Sequence, residues 1–193
     1  MPNSTILQLD NWILKEVMPV SNSSSPDAGL CYWLVFPADK TMPLVAQRGT
    51  LAEHGLWEKI FRLSRAPRRT AAKADDTARS VSCAPPIHFE PHESPSVGTK
   101  LLWQDEVVKI WEFRLNPDER CPFHRHVHPY FFLNLTASTN QELNRHGDPV
   151  PNSLPSQQIA GQCTHMTRER LSAHAVRNVG DTLFLQFIVE FQE

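Results

Sequence analysis

Val107, Lys109, Trp111, Phe113 and Leu115 alternate with Val108, Ile110, Glu112 and Arg114, and the same period returns near the C-terminus in Leu183, Leu185, Phe187, Val189 and Phe191. A period of two belongs to a strand, where successive side chains point to opposite faces. In the first segment both parities carry bulk, which predicts a strand covered on both sides. A further strand is predicted roughly from Pro122 to Leu135, with Asn134 buried inside it. Turn chemistry appears at Asn116-Pro117-Asp118-Glu119 and from Asn144 to Asp148. Several short strands in fewer than about a hundred residues predict an all-β sandwich or barrel over residues 100–193.

The N-terminal part carries weaker signals. Leu9, Trp12, Ile13 and Val17 stand near helical spacing, and Gly29 to Phe36 is a continuous apolar run of the strand type. Thr50 and Glu53 have capping-box spacing, and Leu56, Trp57, Ile60 and Phe61 then form an apolar stripe, which predicts one amphipathic helix within residues 1–63. Residues 64–99 read as a linker and extended arm. Arg65, Arg68, Arg69 and Lys73 are followed by Asp75 and Asp76 with almost no large apolar side chain, too little to offset the entropy of ordering.

With 40% hydrophobic and 21% charged residues and a net charge of −2, the chain is globular and offers no broad basic surface to a phosphate backbone. Nucleic acid and membrane are therefore not expected as partners. No stretch approaches the roughly twenty apolar residues of a membrane span, and Met1 to Asp10 lacks the features of a cleaved signal. A soluble, cytoplasmic protein is expected. Cys31, Cys83, Cys121 and Cys163 form no Cys-x-x-Cys pair, so free thiols are the default over a zinc ribbon or a disulfide framework.

The chemistry concentrates in Pro122-Phe123-His124-Arg125-His126-Val127-His128-Pro129-Tyr130. On a strand His124 and His126 share a face, and imidazoles at that separation can bind one metal ion. His128 and Tyr130 have the same parity. A second piece, His174-Ala175-Val176-Arg177-Asn178-Val179-Gly180-Asp181, can supply His174 across an antiparallel barrel and complete a trio of nitrogens. Such a trio suits a divalent metal ion, iron(II) foremost, with zinc, nickel, manganese, copper or cobalt as alternatives. His128 is a weaker ligand candidate, since Pro129 disturbs strand parity. Cys121 and Tyr130 are read first as packing residues, Asn178 as a residue that ties a turn through its amide, and His88, Glu90 and His92 as solvated linker residues. His54, His146 and His165 fit no constellation.

These strings resemble the cupin superfamily. The first cupin motif carries a His-x-His pair followed by a glutamate, and the second a histidine with an asparagine four positions on; His124, His126, His174 and Asn178 match. The resemblance runs from about Leu101 to Phe191 and implies a jelly-roll barrel with the metal in one mouth. This chain departs from the pattern where Tyr130 stands in place of the glutamate, where Glu169-Arg170-Leu171 replaces a Pro-x-Gly turn, and where the glycine near position 118 is missing.

A three-histidine site without glutamate resembles thiol and β-diketone dioxygenases within that superfamily, which implies an iron(II) dioxygenase acting on a small chelating substrate. Three neutral ligands leave the ion its full charge and favour an anionic chelator. Two alternatives stand beside it: a non-catalytic cupin that binds a small ligand as a sensor or storage module, and a metal-dependent lyase or isomerase with Tyr130 as catalytic acid or base. The resemblance also implies pairing through edge strands, so a homodimer is expected unless the N-terminal extension covers that edge.

Overall fold

A computed structural model describes residues 4–9, 12–17, 31–37, 41, 44–48, 57–65 and 89–192. The described chain is all β apart from a single 3-10 turn at Arg168–Arg170. Five strands lie in the N-terminal part: β1 (Ser4–Gln8), β2 (Trp12–Val17), β3 (Cys31–Pro37), β4 (Val45–Arg48) and β5 (Trp57–Arg65). They form an antiparallel sheet in the order β1-β2-β5-β3-β4. The C-terminal part holds β6 (Lys100–Gln104), β7 (Val108–Leu115), β8 (His124–Arg125), β9 (Tyr130–Asn134), β10 (Ser138–Leu143), β11 (Ser156–Gln158), β12 (Cys163–Met166), β13 (Ala173–Asn178) and β14 (Phe184–Phe191). These make two facing sheets, β11-β10-β13-β8 and β12-β9-β14-β7-β6.

The expected N-terminal helix is absent from the described residues. Trp57, Ile60 and Phe61 belong to strand β5, and Thr50 to Leu56 lie outside the described residues. The reason lies in the position of β5, a central strand flanked by β2 and β3. Phe61 and Leu63 face the large core while Ile60 is buried with opposite parity. A strand covered on both faces gives a short apolar cluster that period alone cannot tell from a helix. The helical spacing from Leu9 to Val17 misleads in the same way. Those residues straddle the β1–β2 hairpin, where Leu9 and Trp12 exchange backbone hydrogen bonds of 2.8 and 3.2 Å.

Strand β14 is buried along its whole length, and its two faces serve two cores. Leu185, Phe187, Val189 and Phe191 point outward with Val108 and Ile110 of β7, and they pack against Trp12, Leu14, Tyr32, Leu34, Phe61 and Leu63 of the N-terminal sheet. Phe184 and Ile188 point inward with Trp111, Phe113, Leu115 and Tyr130 toward the other C-terminal sheet. The molecule is therefore three sheets deep, with the middle sheet covered on both sides. Polar anchors reinforce the outer contact. Buried Glu112 accepts the Leu44 backbone N–H at 2.7 Å, and Asp105 accepts the Tyr32 hydroxyl at 2.9 Å and Arg48 Nη1 at 3.0 Å.

The start of the C-terminal half is tied down as well. Val97 is buried in the inner core, and a Cβ on Gly98 would lie 2.5 Å from Trp111 Cβ, so that only glycine lets the chain pass there. Ser94 bridges to His124 and Glu93 pairs with Arg125, which ties this stretch to β8, while residues 66–88 of the expected linker lie outside the described residues. The expected turn at 116–119 is present, with Asp118 at φ 65°, a left-handed position that glycine would fill without strain.

Candidate metal centre

One sheet, β11-β10-β13-β8, brings the predicted trio together. His124 and His174 are direct cross-strand partners on β8 and β13. His126 follows β8 and is fixed by its backbone N–H, which donates to Ser172 O at 3.2 Å. One nitrogen from each of His124, His126 and His174 lies within 4.8 Å of the others, a separation that one ion can bridge. The ring centroids stand 4.9 to 5.4 Å apart, edge to face.

Hydrogen bonds set two of the three tautomers. His124 Nδ1 lies 3.0 Å from Pro122 O, and a carbonyl only accepts, so Nδ1 carries the proton and Nε2 keeps its lone pair. His174 Nδ1 lies 3.0 Å from Glu142 Oε1, which has the same consequence. A carboxylate behind a ligand imidazole both orients the ring and raises its basicity. His126 Nδ1 is buried with no hydrogen-bond partner, a state that an ion or ligand relieves. Burial, reinforced by the His174 ring, lowers His124 to about 4; burial, then His124 and His174, lowers His126 to about 2. Both are neutral near pH 7, as metal ligation requires. The donor set and the unpaired nitrogen fit a divalent ion.

The trio opens into a cavity of about 350 Å³ between the facing sheets, lined also by Tyr130, Phe132, Asn140, Glu142, Gln186 and Ile188 among others. Tyr130 stacks on His126 at 3.9 Å between ring centroids, and burial together with the Glu190 and Glu142 carboxylates drives its pKa up, so it remains a protonated phenol. His128 does not join the trio. Its strand parity is lost because β8 ends at Arg125 and β9 begins only at Tyr130, and burial, Lys109 and Arg168 lower its pKa.

The remaining expectations sort themselves by contact. Cys121 is a core residue: its sulfur accepts the Val176 N–H at 3.1 Å, and burial pushes the thiol up to about 11. Asn178 is fully buried and ties a turn, donating to Leu115 O and Thr182 O and accepting from Ser138 Oγ and Gly180 N. Glu90 and His92 are exposed, and His88 and His54 lie outside the described residues. Sequence reasoning missed Glu142 and Asn140. Ser138–Leu143 is polar at both parities, and only its register with β13 reveals that Ser138, Asn140 and Glu142 face inward.

No protein-family model matches the chain, and no curated protein does. Solved structures do. A cupin domain from Bordetella pertussis Tohama I is similar at 24% identity and a TM-score of 0.41, covering 49% of this chain and 91% of that one. An RmlC-like cupin with a double-stranded β-helix fold from Methanocaldococcus jannaschii covers 54% of this chain and 86% of its own at 14% identity and a TM-score of 0.38. The polyketide cyclase RemF from Streptomyces resistomycificus is a further similar structure, at 16% identity and a TM-score of 0.36, covering 48% of this chain and 63% of that one. His124 and His174 stand on adjacent strands of one sheet, while Tyr130 of the other sheet stacks on His126. Among the described residues no helix is long and apolar enough to cross a membrane.

Proposed function

We propose that this protein is a cupin-type enzyme that holds one divalent metal ion on His124, His126 and His174 and acts on a small anionic, chelating substrate, with iron(II) dioxygenase chemistry as the first assignment. The observation that carries the reading is the trio itself: three imidazoles within reach of one ion, His124 and His174 held by their hydrogen bonds with Nδ1 toward an acceptor, at one end of a cavity large enough for a small molecule. A divalent ion on three neutral nitrogens keeps its full charge for substrate polarisation and, as iron(II), adds the one-electron chemistry that dioxygen needs.

The chain's own groups divide the remaining work. Glu142 holds the His174 proton on Nδ1 and keeps that ring aimed at the trio. Tyr130 keeps its phenolic proton and offers a donor to an anionic ligand beside His126. Phe132, Phe184 and Ile188 give the cavity an apolar wall. The position of Tyr130 favours one second reading, a metal-dependent lyase or isomerase in which this phenol acts as acid or base.

The test is metal content by plasma mass spectrometry on untagged protein, wild type beside His126→Ala. Near-stoichiometric metal in the wild type that falls sharply in the variant is expected. No metal in either, even after anaerobic loading with iron(II), nickel and zinc, overturns the proposal and leaves a non-catalytic ligand-binding barrel. Oxygen uptake on turnover assigns the dioxygenase; turnover under argon assigns the second reading.

A further inference from the structure

We infer that the end of the cavity remote from the histidines is a recognition subsite for an uncharged hydrogen-bonding group, which makes the substrate a bipolar molecule with an anionic head, an apolar body and a hydroxyl or carboxamide tail. The head group rests on the metal reading above; the tail does not.

The strand register separates the two ends. On β10 and β13, Asn140 lies opposite Asn178, four positions beyond His174. On β9 and β14, Tyr130, which stacks on His126, lies opposite Glu190, and Gln186 lies four positions away, opposite Asn134. Four positions at about 3.3 Å each separate the levels by roughly 13 Å along the strands. Ser156 of β11 faces Asn140 directly. Between the two levels stand Phe132, Val176 and Ile188, and all of these side chains except Asn134, Asn178 and Glu190 line the same cavity. On the β9–β14 side the lining thus runs from ionisable through apolar to neutral polar.

The remote end is prepared for a ligand. Gln186 Nε2 donates to Asn134 Oδ1 at 2.6 Å, Asn134 Nδ2 to Gln158 Oε1 at 3.1 Å, and Gln158 Nε2 to Ser156 Oγ at 2.9 Å, so this chain of amides is fixed from within. Asn140 stands outside it. The residue is 6% exposed, and its side chain makes no hydrogen bond among the described residues and leaves Oδ1 buried without a partner. A buried carboxamide in that state has both a donor and an acceptor to give, which a hydroxyl or an amide satisfies together. Tyr130 and the trio sit at the other end, and Glu142, at the middle level opposite Val176, has its carboxylate engaged by His174 Nδ1 at 3.0 Å, so a charged tail would be desolvated without a partner of opposite charge.

The experiment titrates metal-free, 15N-labelled protein with octanoate and with 8-hydroxyoctanoate, following the Asn140 side-chain amide resonances, and repeats both titrations on the zinc-loaded protein. The hydroxylated probe is expected to bind roughly tenfold tighter or better and to be the one that shifts the Asn140 resonances, because a site built to bond a hydroxyl rejects the analogue that lacks it. In Asn140→Leu, or in Asn140→Ala should the first fail to fold, the two probes then bind alike. Equal affinities in the wild type, a preference that survives in the variant, or no binding of either probe to either form overturns the inference. Zinc that strengthens both probes while neither prefers the hydroxyl leaves the metal reading standing and removes this one. A hydroxyl preference that zinc does not strengthen does the reverse.

Discussion

Replacing Glu142 by glutamine removes a charge from behind His174 while keeping an oxygen that can accept the Nδ1 proton. The wild-type contact is 3.0 Å, and the hydrogen bond from His174 together with the proximity of that ring pulls the Glu142 carboxyl below its ordinary range, so it is ionised at neutral pH. Carboxylates behind ligand histidines are worth about 10- to 100-fold in metal affinity, or about 1.4–2.7 kcal/mol. The Glu142 side chain is 44% exposed, so solvent screens part of that charge and the lower end applies. Metal affinity of Glu142→Gln is therefore expected to fall about tenfold, and that of Glu142→Ala, which also loses the acceptor, by up to about 100-fold. Competition for zinc against a chromophoric chelator at neutral pH measures both. Affinities of both variants within about twofold of wild type would refute the claim that this contact tunes the ligand.

Asp105 accepts Tyr32 Oη, Trp103 Nε1 and the N–H groups of Val107 and Val108. Burial works against its ionised form, but these donors win and lower its pKa. The sign follows: the stability it adds is present above the unfolded value of about 3.9 and is lost as pH falls below it, so Asp105→Asn should cost about 1–3 kcal/mol in urea melts at neutral pH and much less in acid. The metal-free protein should lose stability as pH falls below about 6.5 toward the lowered His124 and His126 values, because unfolding frees both rings to take up protons. Zinc should steepen that dependence in a melting series, and a flat profile between neutrality and mild acid would count against buried neutral histidines. Phe61→Ala should destabilise by about 3–5 kcal/mol and lower one common midpoint for signals from both halves, since this ring is fully buried in the shared outer core. Two separated transitions in the variant would contradict a single core.

The site was legible because its chemistry is local. His124 and His126 stand two apart, and His174 announces itself through Asn178 four positions on. The C-terminal strands were legible because β7 and β14 keep a period of two along their length. The N-terminal sheet was not, because Ile60 and Phe61 lie on a strand buried on both faces, and in sequence their spacing with Leu56 and Trp57 mimics a helical stripe. Glu142 and Asn140 were hidden for a different reason. Their role depends on the pairing of β10 with β13, which brings Glu142 opposite Val176 and Asn140 opposite Asn178, and no local pattern in a polar hexapeptide encodes that register.

The N-terminal sheet also bears on the site, although none of its residues lines the cavity. The inward residues of β14 and β9 position Gln186, Ile188, Tyr130 and Phe132, and alternate residues of these strands are the outward ones sealed by the N-terminal sheet. A strand whose outer face were wet could shift to suit either side; one packed on both faces resists movement as a whole. Three sheets in series thus fix the distance between the histidine end and the Asn140 end, and a cavity with fixed ends selects ligands by length as well as by chemistry. Loosening the outer core should therefore blunt discrimination between ligands of different length before it abolishes metal binding, because His124 and His174 stand on the other sheet, outside that core.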